Sequence, residues 1–122
     1  MPKVQAVIGS ILSLIAVGAA VAATPGEEAD IRAGNNIAVT SCVACHVVSA
    51  NQAVKPVLGA GIPTFQDIAD RPGTSAESLG AAMKSARWHE PGMAATLLPM
   101  SRLSDKARGQ VALYILSLKK QP

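Results

Sequence analysis

Large aromatic rings are nearly absent from this chain. Phe65, Trp88 and Tyr114 are the only ones among 122 residues. A small domain ordinarily draws much of its core from such side chains, so something other than protein is expected to fill its middle. Cysteine is scarce as well, and two residues exclude a disulfide-rich scaffold. Charge of one sign is also lacking. The formal net charge is +3, the basic residues are scattered, and no aromatic platform accompanies them, which argues against a nucleic-acid partner. With so small a net charge and abundant Val, Ile, Leu and Ala, the chain is not a disordered one. Its length suits one domain and leaves no room for a second.

One long apolar run is present, at the start. Met1 to Ala23 carry a single charge, Lys3, followed by VQAVIGSILSLIAVGAAVAA and then Thr24. A charged start, an apolar stretch and a small-residue exit make a secretory signal peptide, with cleavage expected after Ala22 or Ala23. The competing reading is an uncleaved anchor, since about twenty apolar residues can span a bilayer. Gly9, Ser10, Ser13 and Gly18 interrupt the run and favour the peptidase. Either way residues 24–122 are expected outside the cytoplasm as one domain. Without Lys3 that domain holds ten basic and eight acidic residues, too even a balance to set the sign of a partner.

The exported part reads as all-α. From Glu27 to about Thr40, Ile31, Gly34, Ile37, Ala38 and then Cys42 recur at the spacing of one helical face, with Glu27, Glu28 and Asp30 in the first turn. Residues 47–63 hold Ser49, Asn51, Pro56, Gly59, Gly61 and Pro63 without periodicity and read as a long loop. Loops of that length commonly wrap something. Phe65 to Ala69 can form a turn or two of helix, closed by Arg71, Pro72 and Gly73. Thr74 and Glu77 have capping-box spacing ahead of a stripe of Leu79, Ala82, Met83 and Ala86. Ser104 is a good N-cap for a last helix whose apolar face is Val111, Tyr114, Ile115 and Leu118, with Lys119 and Lys120 at its negative end. No internal repeat and no strand-like alternation stand out.

The chemistry is concentrated in Cys42-Val43-Ala44-Cys45-His46. Two thiols three positions apart on one turn project from the same side, where they can add to the two vinyl groups of a haem. The adjoining imidazole then reaches the iron. Covalent attachment also keeps a cofactor from being lost outside the cell. Three blander readings compete. A disulfide between Cys42 and Cys45 would close too short a loop to stabilise much. A thioredoxin-like redox pair belongs at the start of a helix after a strand, whereas here a helix precedes the motif. Zinc held by Cys42, Cys45, His46 and His89 has the right ligand count, but adjacent ligands strain a tetrahedral site. Haem c also answers the shortage of aromatics, because a porphyrin is a large flat body around which aliphatic residues pack.

Gly34, the CVACH run, the proline-containing loop and the ending Ala112-Leu113-Tyr114-Ile115-Leu116-Ser117-Leu118 together resemble a small class I cytochrome c of the bacterial periplasmic kind. The resemblance covers residues from about 27 to 120. It implies three to five helices wrapped around one covalently bound haem, the first and last crossing at a glycine and an aromatic residue, which Gly34 and Tyr114 match. Glycine allows the close approach that such a crossing needs. The resemblance also implies a proline carbonyl that accepts a hydrogen bond from the proximal histidine. Pro56 is the expected residue, and Pro63 is the weaker candidate.

The family's second axial ligand is a methionine shortly before the last helix, often followed by proline. Here Leu98 precedes Pro99. Met100 lies two positions closer to the last helix than the pattern implies, and Met93 several positions farther away. Both stay candidates, with His89 or an open site as the remainder. A histidine and a thioether would fill both axial positions, leave substrate no place on the iron and raise its potential. The expected function is therefore periplasmic electron transfer without enzymatic activity. Its partners would be transient ones, such as a dehydrogenase, an oxidase or a membrane cytochrome complex. The displaced methionine motivates an alternative, a gas-binding or sensing haem protein with an open or weakly held sixth position.

Overall fold

Thr24 and Pro25 start the first helix, two residues before the apolar periodicity becomes visible. The Thr24 hydroxyl accepts from the Glu27 N–H at 3.3 Å, and Pro25 occupies the first helical position, where its missing N–H costs nothing. The computed structural model describes residues 21–57, 61–85 and 103–120. Within them lie four helices and no strand: α1 Pro25–Ser41, α2 Phe65–Asp70, α3 Ala76–Lys84 and α4 Asp105–Ser117. The all-α fold follows the expectation. Most of the expected leader, residues 1–20, lies outside the described residues. No helix among the described residues is long and apolar enough to cross a membrane.

The caps of α2 and α4 form where the side chains allow. Thr64 and Asp67 exchange reciprocal hydrogen bonds at the start of α2, and the Ser104 hydroxyl accepts from Ala107 N–H at the start of α4. The α3 cap differs from the sequence expectation by one residue. Ser75 and Ser78 form the box, not Thr74 and Glu77. The Thr74 hydroxyl is engaged elsewhere, donating to the Ile68 carbonyl at 2.8 Å across a turn in which Gly73 takes φ +80°.

The first and last helices pack most extensively, and α2 and α3 rest against α4. Gly34 makes the α1–α4 crossing possible. A Cβ built there would lie 2.0 Å from the Gln110 carbonyl oxygen and 2.9 Å from Tyr114 Cβ. Asp30 and Gln110 close the same crossing with a 2.8 Å hydrogen bond. Below it the core joins Ala38 and Cys42 of the α1 end, Phe65 and Ala69 of α2, Leu79 and Met83 of α3, and Val111, Tyr114 and Ile115 of α4. The lysines after α4 do more than face its dipole. Lys120 N–H donates to Asp70 Oδ1 at 3.0 Å, while Gln66 Nε2 donates to the Leu118 carbonyl at 2.7 Å, so α2 receives the end of the chain.

Candidate functional site

The CVACH residues continue α1 by one further turn. Cys42 N–H bonds to the Ala38 carbonyl, and the Cys45 and His46 N–H groups both bond to the Cys42 carbonyl, at 3.1 and 2.9 Å. This closed turn sets the two thiols three residues apart on a single short coil. Both are free. Cys42 is buried in the core, and burial, reinforced by the nearby Cys45, pushes its pKa up to about 11. A dithiol oxidoreductase needs the opposite, an attacking cysteine with a depressed pKa at a helix N-terminus. Among the described residues, no group of three or more His, Cys, Asp and Glu side chains is arranged to hold a metal ion.

His46 is tied to the loop by its ring. Nδ1 lies 2.7 Å from the Pro63 carbonyl oxygen. A carbonyl can only accept, so Nδ1 carries a proton, and the neutral tautomer with that proton has its lone pair on Nε2, where a metal would bind. The acceptor corrects one expectation, because Pro63 fills the role expected of Pro56. The reason lies in how the loop is anchored at two points. Val57 N–H bonds to the Ala44 carbonyl at 2.9 Å, which binds the stretch following Pro56 to the backbone of the motif turn. Phe65 N–H bonds to the Val47 carbonyl at 2.9 Å, which brings the start of α2, and Pro63 just ahead of it, alongside His46.

Two aromatic residues stand around this bond. Phe65 is buried, with its ring centroid 5.4 Å from that of His46, and Tyr114 lies 6.3 Å beyond Phe65. The Tyr114 hydroxyl donates to the Val48 carbonyl at 2.7 Å. Burial raises its pKa, opposed by a hydrogen bond with the Asn35 side chain. Gln52 then closes the loop start, its Oε1 accepting from Val48 N–H at 2.6 Å and its Nε2 donating to the Val54 carbonyl at 2.6 Å. Residue spacing and the family resemblance put Phe65 on a helix and Tyr114 at a helix crossing, and neither points to His46. The only local signal was the capping Thr64 that follows Pro63 and sets where α2 begins. Met93, Met100 and His89 lie outside the described residues.

These residues fit a haem. Two free thiols share one turn, an adjoining imidazole is bonded through Nδ1 and has no Nε2 partner among the described residues, and Val47, Val54 and Val57 expose apolar surface in the stretch tied to the motif. Residues 31–119 match the sequence profile described as Cytochrome c. Cytochrome c-552 of Bradyrhizobium diazoefficiens is 33% identical to this chain over 91 residues, which cover 75% of this chain and 77% of that protein. No solved structure matches the chain. A profile spanning most of the chain, together with a relative aligned over three quarters of it, places this helical domain in the class I cytochrome c family of electron-transfer proteins, with haem c joined covalently through the CVACH motif.

Proposed function

We propose that the protein is a periplasmic carrier of single electrons whose haem iron is held by His46 and a methionine, Met100 or Met93. The observation that supports this reading most is the hydrogen bond from His46 Nδ1 to the Pro63 carbonyl beside a turn bearing two free thiols. When bound, haem c supplies a ferric/ferrous couple. The carbonyl fixes the tautomer and orientation of the His46 ring. A methionine thioether as the second protein ligand would keep substrate from the iron and favour the reduced state. The tied proximal side would need little rearrangement between oxidation states. The single charge and apolar run of residues 1–23 support export, and an uncleaved leader would anchor the domain to the inner membrane. Contacts with a dehydrogenase, an oxidase or a membrane cytochrome complex would be small and short-lived.

The ferric holoprotein tests the ligand set. It should show the weak long-wavelength sulfur-to-iron band, and either Met100→Ala or Met93→Ala should abolish it while the other leaves it intact. Absence of the band from the parent protein, together with carbon monoxide binding to its ferrous form, would overturn methionine ligation and establish the gas-binding alternative.

A further inference from the structure

We propose that Phe65 and Tyr114 form a buttress that sets the plane of the His46 imidazole, so that both are positioning residues for the haem iron. The inference rests on the reading of His46 as an iron ligand. Its starting point is a limit on what the Pro63 hydrogen bond can do. The imidazole is attached to the chain at Cβ and held at Nδ1, and two attachment points define an axis about which a flat ring can still tip. A third contact at the ring removes that freedom. Phe65 supplies it, in a tilted arrangement with interplanar angle 50° and a centroid separation of 5.4 Å, within the range of favourable aromatic pairs.

Phe65 itself cannot retreat. Its backbone N–H is bonded to the Val47 carbonyl, it is the first residue of α2 behind the Thr64–Asp67 box, and the Tyr114 ring stands behind it at an interplanar angle of 56°. Tyr114 is held in turn by its hydroxyl on the Val48 carbonyl and by its place at the Gly34 crossing. Three consecutive residues are therefore tied in series: His46 to Pro63, Val47 to Phe65, and Val48 to Tyr114. The series links the docking of α4 to the orientation of one side-chain ring. A core-filling phenylalanine would need none of these registers.

The test uses the full-length holoprotein as its ferric cyanide adduct, read by proton NMR of the four haem methyl groups. Cyanide is symmetrical about its bond to iron and takes the sixth position, so the order and spacing of those resonances report the histidine plane whichever methionine is the native ligand. Phe65→Leu should change both order and spacing. Tyr114→Phe, which keeps the ring and removes only the hydroxyl, should shift the same resonances in the same sense by less. Asp70→Asn, which weakens the far end of α2, should lower the thermal midpoint and leave the methyl pattern unchanged. A Phe65→Leu protein with the parental pattern and only a lowered midpoint overturns the proposal. If that variant does not accumulate, Tyr114→Phe decides alone. A parent chain without covalent haem, recognised from its pyridine haemochrome spectrum before any variant is made, overturns the functional reading itself.

Discussion

At the scale of single residues, His46 shows how one hydrogen bond assigns chemistry. A proton on Nδ1 is required by the Pro63 carbonyl at 2.7 Å, and in the neutral ring that tautomer places the metal-binding lone pair on Nε2. The neighbouring thiols divide the remaining work, Cys42 inside the core and Cys45 half-buried. Cys42→Ala should therefore leave at most one thioether bond and a poorly matured product, measured as haem yield and as a shifted haemochrome band. Full accumulation of normal holoprotein would contradict covalent attachment at this position. Tyr114→Phe should cost roughly 1–2 kcal/mol, because it strands the Val48 carbonyl of a fully buried residue. Denaturant unfolding of the holoprotein measures that loss. The motif residues were legible from their spacing. Pro63 was not the expected acceptor, because chain distance from a histidine does not say which of two loop prolines the loop's own hydrogen bonds bring alongside it.

At the scale of elements, the helices were legible where side chains report a period, and their ends where a capping residue has no competing partner. Ser104 has none among the described residues and caps α4 as expected, whereas Thr74 is diverted to the Ile68 carbonyl and leaves the α3 cap to Ser75. The α1–α4 crossing gives the sharpest prediction. Gly34→Ala forces a methyl group to within 2.0 Å of the Gln110 carbonyl oxygen, and backbone cannot yield as a side-chain tip can. Such overpacking should cost about 3 kcal/mol, seen as a lowered unfolding midpoint, and a variant as stable as the parent would refute the close crossing. The α2–α4 clasp gives a pH prediction. The Lys120 N–H, and then the Gln66 amide, hold the Asp70 carboxyl below its ordinary value of 3.8. A carboxylate depressed in the folded state stabilises it above the unfolded value and loses that contribution as pH falls through the folded one. Asp67, held down by the Thr64 side chain and then its backbone N–H, behaves alike. Thermal midpoints should thus fall as pH drops below 3.8, and Asp67→Asn with Asp70→Asn should flatten that limb.

At the scale of the whole molecule, the shortage of large rings has a physical consequence. The core among the described residues relies on small and aliphatic side chains such as Ala38, Val48, Ala69 and Val111, with Phe65 and Tyr114 as its large rings. Val54 and Val57, in the stretch hydrogen-bonded to the motif turn, present apolar surface that is 60% and 82% uncovered by protein. The chain expressed without haem should accordingly show less helix by far-UV circular dichroism and a broad, weak thermal transition, because the group that binds only the folded state is missing. An apoprotein as helical and as cooperative as the holoprotein would show that the haem is a passenger in the fold. The covalent cofactor, the helical class, the glycine at the crossing and the family could all be read along the chain, since each depends on residue type at short spacing. Which proline meets His46, and that Phe65 and Tyr114 stand behind it, emerged only on folding. Those contacts join residues 17 to 66 positions apart, and their geometry is set by where α2 and α4 dock rather than by any local pattern.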